Sequence, residues 1–145
     1  MAGCSAAPLV KKIGIREGFR VALVNAPEHL IELLGPLPAD AQIVVRLTNN
    51  LDVIMLFVSD EATLRKKFAT LADKLVTNGM IWIAWPKKSA KVKTNLTFEV
   101  VQRIGLDYGL VDVKICAIDD VWSGLKFVYR LKDRAARNTR VGSEK

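Results

Sequence analysis

The chain has 145 residues and a formal net charge of +7, and half of its residues are apolar. This composition excludes an intrinsically disordered protein, and the length fits one domain that buries its own core. Two cysteines, Cys4 and Cys116, are too few for a disulfide framework, so we interpret Cys116 as a small core residue and predict a reducing, cytoplasmic location. The apolar stretch from Gly79 to Pro86 is far shorter than the roughly 20 residues of a membrane span, so we predict no membrane partner.

The positive charge is concentrated in two segments. The first, which we call the lysine loop, is residues 87–93 and contains Lys87, Lys88, Lys91 and Lys93. The second is the tail from Lys132 to Lys145, which is polar and is predicted to be disordered. Because the rest of the chain is neutral, attraction to a polyanion is expected to come from these two segments.

The first half of the chain predicts alternating strands and helices. A helical turn is expected over residues 9–13, followed by a strand over 20–24 and a short helix that begins at Pro27. Strands are predicted next over 42–47 and 53–58. The second of these is an unbroken apolar run, which is typical of a strand covered on both faces. Ser59 is predicted to cap a long helix that ends at Asn78-Gly79.

The second half predicts a strand over 80–84, a helix capped by Thr97 or Thr94, and two further strands over 111–117 and 125–131. Residues 119–124 are interpreted as a turn. Because so short a link joins the last two strands, they are expected to form an antiparallel hairpin. Strand–helix alternation ending in a hairpin predicts an α/β protein with a mixed, mostly parallel sheet.

This order of elements resembles the class I methyltransferase-like, Rossmann-type fold. The resemblance implies the strand order 2-1-3-4-6-5, with only strand six antiparallel, in a single domain over residues 1–131. Four segments also resemble a family of small uncharacterised bacterial proteins that is classified as a domain of unknown function. They are KIGI followed by REGFRVALVNAP, then DVIMLFV, WIAWPKKSA and LVDVKICAIDDVWSGLKFV, and they cover most of Lys12 to Arg130. That family implies the fold and no established activity.

Two features that a methyltransferase uses to hold its cofactor are missing from the sequence. The turn after the first strand, Val24-Asn25-Ala26-Pro27, contains no glycine. The end of the second strand, Leu47 to Asn50, contains no acidic residue to bind ribose hydroxyls. We therefore predict no cofactor, and S-adenosylmethionine in particular is not expected.

Five residues follow strands that end at the same edge of the predicted sheet, where open α/β sheets bind ligands. We predict that they line a pocket at this rim: Asn25, His29, Ser59, Asp60 and Trp85. His29, the only histidine, could act as a general base, but a plain surface histidine is the preferred interpretation. Ser59-Asp60 is explained by helix capping, and Trp85 by packing.

Outside this set, Asp119-Asp120 could suggest a metal site and Trp122 a stacking surface. Two neighbouring aspartates without a third ligand are better explained as a solvated turn. We therefore predict no metal site and no catalytic residue.

The leading functional hypothesis is a non-catalytic module that binds an anionic ligand or a nucleic acid through Lys87, Lys88, Lys91 and Lys93. Four cations within seven residues repel one another unless an anion is near, although such runs are often only solvated surface. The first alternative is an S-adenosylmethionine-dependent methyltransferase, or another small enzyme, that uses the same rim. The second alternative is a protein–protein interaction domain. The sequence does not indicate an oligomeric state.

Overall fold

Strands and helices alternate through most of the chain, as the hydrophobic pattern predicted. The computed structural model describes residues 8–44 and 46–134. The strands are β1 (Arg20–Val24), β2 (Gln42–Val44), β3 (Leu51–Phe57), β4 (Leu75–Pro86), β5 (Leu110–Ala117) and β6 (Trp122–Tyr129). The helices are α1 (Leu9–Ile13), α2 (Leu30–Leu34), α3 (Glu61–Ala72) and α4 (Phe98–Asp107), and Lys88–Ala90 forms one 3-10 turn.

The six strands form one sheet in the order β2-β1-β3-β4-β6-β5. The neighbours from β2 to β4 pair in parallel, and β6 pairs antiparallel to both β4 and β5. The predicted strand order and the single antiparallel strand are therefore confirmed. The carboxyl ends of β1, β3, β4 and β5 consequently meet at one edge of the sheet, which we call the rim.

Two apolar cores lie on opposite faces of the sheet. One face packs against α3 and α4, with Leu64, Phe68 and Ile104 completely buried. The other face packs against α1 and α2, with Ile13 and Trp82 completely buried. Strand β3 contributes side chains to both cores, which explains its unbroken apolar run.

Helix α3 and strand β4 differ from the prediction at their shared boundary. The helix ends at Ala72 and β4 already begins at Leu75. Gly79 therefore lies inside a strand, where an added Cβ would come within 3.1 Å of the carbonyl oxygens of Leu51, Asp52 and Val76. Glycine is needed there because backbones approach closely at an irregularity in the β3–β4 register, and it does not mark the end of a helix.

Half of the residues predicted as a turn after β5, 122–124, are part of β6. Strand β6 begins at Trp122, because Ile118 N–H donates to the Trp122 carbonyl at 2.9 Å and closes a tighter turn than expected. The ring of Trp122 packs edge-on against Phe57, with 5.1 Å between the centroids. An added Cβ at Gly124 would lie only 2.8 Å from Ile118, so a small residue is required at this point of the strand.

Further sequence predictions concern the cysteines and the ends of the chain. Cys116 is 2% exposed and lies in the core on the α1 and α2 side, which confirms its interpretation as a core residue, whereas Cys4 lies outside the described residues. The first part of the tail that was predicted to be disordered is ordered: residues 131–134 form a helical turn, and Arg134 Nε donates to the Tyr129 carbonyl. The rest of that tail, 135–145, lies outside the described residues. Within residues 8–44 and 46–134, no helix is long and apolar enough to cross a membrane.

Helix α4 gives a direct test of the predicted capping. Thr97 Oγ1 accepts a hydrogen bond from Val100 N–H at 3.2 Å, so Thr97, not Thr94, is the cap. We expect Thr97→Ala to lower the free energy of unfolding by about 1 kcal/mol, because one helix-end N–H loses its partner. Urea unfolding followed by circular dichroism measures this loss. Thr97→Ser keeps the hydroxyl and is the control, and equal losses in both variants would contradict the capping role.

Candidate functional site

Asn25 forms the turn that leaves β1 at the rim. Its φ angle is +58°, which places the first residue after β1 in the left-handed region. Glycine adopts this conformation without steric cost, and asparagine is among the side chains that tolerate it best. The turn after β1 is therefore as tight as one made by glycine, although asparagine is the residue at its bend.

His29 contacts the turn of the β5–β6 hairpin, 90 residues away in the sequence. Its Nε2 lies 2.8 Å from Asp119 Oδ2. The histidine side chain is 55% exposed, whereas that of Asp119 is only 15% exposed. An accessible imidazole is thus held by a carboxylate that is largely shielded from solvent.

Asp119 is itself held by the backbone of its own turn. Its Oδ1 accepts hydrogen bonds from the N–H groups of Val121 and Trp122, each at 2.8 Å. Burial raises the pKa of Asp119, but the hydrogen bonds from His29 and from these two N–H groups together outweigh burial, so the pKa lies below its ordinary value. A lowered pKa means that this carboxylate stabilises the fold above about pH 4 and that the contribution is lost as the pH falls through the lowered value.

Ser59 and Asp60 follow β3 and start α3. Asp60, not Ser59, is the helix cap: its Oδ2 accepts from Thr63 N–H at 2.9 Å and its Oδ1 from the Thr63 hydroxyl at 2.8 Å. The hydrogen bond from the Thr63 N–H has the larger effect and that from the Thr63 hydroxyl the smaller, and both lower the pKa of Asp60 below its ordinary value. The far end of the loop after β4 contacts the start of α3 through two hydrogen bonds. The Thr94 hydroxyl donates to the Ser59 carbonyl at 2.6 Å. The Glu61 N–H donates to Asn95 Oδ1 at 2.9 Å.

A cavity of about 320 Å³ lies where these two segments meet. Its lining is polar side chains and one cation: Ser59, Asp60, Lys93, Thr94 and Asn95. Both carboxylate oxygens of Asp60 already accept hydrogen bonds from Thr63. The cavity therefore carries charge of both signs, the Lys93 ammonium group and the Asp60 carboxylate, whose oxygens are already engaged by Thr63.

The lysine loop begins next to the Asp119 turn. Lys87 N–H donates to the Val121 carbonyl at 2.8 Å, and the 3-10 turn then leads to Lys91, which has a φ angle of +56°. Lys88, Lys91 and Lys93 are exposed and Lys87 is half-buried. In the described part of the chain, none of the four ammonium groups lies within ion-pair distance of a carboxylate. Their charge is consequently available to a partner.

Trp85 does not present its ring at the rim surface. It is 5% exposed and belongs to the core on the α3 and α4 side. It forms part of the wall of a second cavity, of about 340 Å³, which Lys87, Lys88, Phe98 and Ile115 also line. Packing therefore explains the position of the Trp85 ring. A ligand could contact this ring only from within the cavity.

The structure divides the predicted rim residues between the two faces of the sheet. His29 lies on the α1 and α2 side, where its neighbour Leu30 is buried, whereas Ser59 and Asp60 start α3 on the other side. Sequence analysis did not connect His29 to Asp119, although the predicted topology already placed the turn after β5 at the same edge. Within the described ranges, no group of three or more histidine, cysteine, aspartate or glutamate residues could hold a metal ion.

Several solved structures share this fold at low sequence identity. Fibrillarin from Aeropyrum pernix, with natively bound S-adenosyl-L-methionine, superposes with a TM-score of 0.55 at 15% identity and covers 87% of this chain and 70% of its own. Magnesium protoporphyrin IX methyltransferase from Synechocystis, with bound S-adenosylmethionine, has a TM-score of 0.53 at 9% identity, with coverage of 84% and 74%. A methyltransferase from Aquifex aeolicus that depends on S-adenosylmethionine has a TM-score of 0.54 at 15% identity, with coverage of 82% and 86%.

These likenesses show that the chain has a class I methyltransferase-like fold. No protein-family model matches the chain, and no curated protein sequence matches it. At identities of 9 to 15%, structural likeness establishes the fold alone.

The prediction that the chain takes no cofactor is wrong. Proteins with this fold are solved with bound S-adenosylmethionine or, for magnesium protoporphyrin IX methyltransferase, with its demethylated product S-adenosylhomocysteine. The prediction depended on the missing glycine and on the missing acid after the second strand. The left-handed Asn25 supplies the bend that glycine would have made, whereas Thr48, Asn49 and Asn50 still offer no carboxylate. A missing glycine therefore does not mean a missing turn after β1.

Proposed function

We propose that this protein binds S-adenosylmethionine at the rim and transfers its methyl group to an acceptor. The observation that carries the proposal is the left-handed turn at Asn25, at the carboxyl end of β1, in a sheet of methyltransferase strand order. That turn reproduces the bend that glycine gives in other cofactor-binding turns, although asparagine keeps a Cβ where glycine would let the backbone come closer. When bound, S-adenosylmethionine supplies an electrophilic methyl group carried on a sulfonium.

The residues of this chain that we assign to the cofactor differ from the usual set in one respect. No carboxylate follows β2, where Thr48, Asn49 and Asn50 stand instead. Thr48 Oγ1 already accepts a hydrogen bond from Arg20 at 2.9 Å. The neutral amide oxygens of Asn49 and Asn50 are therefore the acceptors that this segment offers to a ribose hydroxyl, and we expect weaker binding than a carboxylate would give.

Calorimetry with S-adenosylmethionine and S-adenosylhomocysteine tests the proposal on the full chain. We expect a dissociation constant in the micromolar range, about −8 kcal/mol. Asn25→Val should weaken binding by about 5- to 30-fold, because a β-branched residue in the left-handed region costs roughly 1–2 kcal/mol and shifts the turn. Asn25→Gly is the matched control, since glycine retains the turn at no steric cost.

Two results would contradict this proposal in different ways. No binding at about 1 mM ligand, which corresponds to less than about 4 kcal/mol of affinity, would remove the cofactor from the proposal altogether. Equal affinity of the wild type and Asn25→Val would show that the cofactor binds elsewhere than at the Asn25 turn.

A second candidate function is the binding of an anionic partner by the lysine loop. The supporting observation is that its four ammonium groups have no carboxylate partner in the described ranges, although three of them are exposed. This function is compatible with methyl transfer, because the loop starts beside the Asp119 turn. We also propose that the chain belongs to the bacterial domain family, which the quoted segments support, and that it is cytoplasmic, which its low cysteine content supports.

A further inference from the structure

The pairing of His29 with Asp119 determines which nitrogen of the ring is basic. An ionised carboxylate only accepts hydrogen bonds, so Nε2, at 2.8 Å from Asp119 Oδ2, carries the hydrogen. In the neutral ring the lone pair then lies on Nδ1. The carboxylate cannot easily turn away, because its Oδ1 is bound by the N–H groups of Val121 and Trp122.

This arrangement has the parts of a general base and its positioning residue. The imidazole is 55% exposed at the rim, four residues beyond the Asn25 turn, so a ligand held at that turn can lie near it. The carboxylate behind it is 15% exposed and is suited to stabilise an imidazolium ion.

We propose that His29 Nδ1 removes the proton from the O–H or N–H nucleophile of the methyl acceptor, and that Asp119 positions the ring. This inference rests on the proposed methyl transfer. The electron pair of the O–H or N–H bond stays on the acceptor atom, which forms the new bond to the methyl carbon. The proton moves to Nδ1 and later to water, and the electron pair of the broken C–S bond remains on sulfur.

The charge around the pair indicates the class of acceptor. Lys87 N–H donates to the carbonyl of Val121, two residues beyond Asp119, so the lysine loop starts beside the turn that holds the positioning carboxylate. Its ammonium groups favour an acceptor that carries a carboxylate or phosphate in addition to the nucleophile. A carboxylated phenol, a carboxylated amine and single-stranded RNA represent three sources of this chemistry.

The first experiment needs no acceptor. Because the chain contains a single histidine, nitrogen NMR of the labelled protein observes His29 without assignment. We expect the neutral ring to carry its hydrogen on Nε2 in the wild type and in Asp120→Asn, and to become a mixture of tautomers in Asp119→Asn. Asp120 is an exposed neighbour and serves as the matched control. A hydrogen on Nδ1 in the wild type would overturn the proposal.

The second experiment measures methyl transfer from labelled S-adenosylmethionine to the three acceptors. His29→Gln should lower kcat by roughly 100-fold or more, the usual contribution of a general base, with cofactor affinity unchanged. Asp119→Asn should give a smaller loss, and free imidazole should partly restore His29→Gly. Unchanged kcat in His29→Gln, or cofactor binding without transfer to any of the three acceptors, would overturn the inference. Absence of cofactor binding would instead overturn the proposed function.

Discussion

Replacement of Trp82 by alanine is expected to lower the free energy of unfolding by about 4 kcal/mol, the usual cost of removing a buried aromatic ring. Trp82 is completely buried in the core on the α1 and α2 side. Its Nε1–H donates to the Ile13 carbonyl at 3.0 Å, which attaches α1 to the sheet. The substitution therefore leaves a cavity and also leaves a buried carbonyl without its donor.

Trp82→Phe separates these two effects. Phenylalanine keeps most of the ring volume and removes the hydrogen bond, so we expect a loss of about 1–3 kcal/mol. Urea unfolding followed by far-ultraviolet circular dichroism measures both variants, and the slope with urea should stay the same if the native state is unchanged. A loss below about 1 kcal/mol in Trp82→Ala would contradict the packing described for this core.

Affinity for single-stranded RNA is expected to fall by about 50-fold between roughly 50 and 200 mM salt, if all four lysines of the loop contact phosphates. Each contact contributes a slope of about −0.7 in a plot of log affinity against log salt, which gives about −3 for four contacts. Replacing Lys87, Lys88, Lys91 and Lys93 by glutamine should remove most of this slope. The unfolding free energy should hardly change, because exposed lysines contribute little to stability.

A matched variant controls for the change in net charge. It replaces four lysines that lie outside the loop, in or beside helices, by glutamine: Lys11, Lys66, Lys67 and Lys74. Fluorescence anisotropy with labelled RNA compares the two variants with the wild type. Equal salt slopes for the two variants would show that only net charge matters. A wild-type slope of log affinity against log salt near zero would show that the lysine loop does not bind nucleic acid. In that case, a rise in melting temperature on addition of a carboxylated phenol would indicate that the loop binds a small ligand.

Local sequence patterns were sufficient to predict an α/β protein with one mixed sheet. Strand β1 was predicted with its observed bounds, strand–helix alternation predicted a mostly parallel sheet, and the resemblance to the methyltransferase-like fold implied the strand order. These features are predictable because they depend on local patterns, such as the apolar run of β3 and the short link before β6. Right-handed crossovers then leave few ways to arrange the strands.

Tertiary contacts decided where several elements begin and end. Gly79 was read as a helix stop because glycine usually has that role, but close approach to the carbonyls of Leu51 and Asp52 places it in a strand. Trp122 was read as part of a turn, yet its contact with Phe57 and its bond to Ile118 begin β6 there. Local propensity could not show either contact, because the partners are distant in sequence or depend on the geometry of the turn.

The candidate site depended on the tertiary structure even more strongly. His29 and Asp119 are 90 residues apart, and each was interpreted as ordinary surface because neither has a partner nearby in the sequence. The left-handed conformation of Asn25 is a backbone property that composition does not reveal, so a missing glycine was taken for a missing turn. A site forms where side chains are close in space, and parallel strands bring loops that are distant in sequence to the same edge of the sheet. The sequence alone does not show which of these loops contact one another.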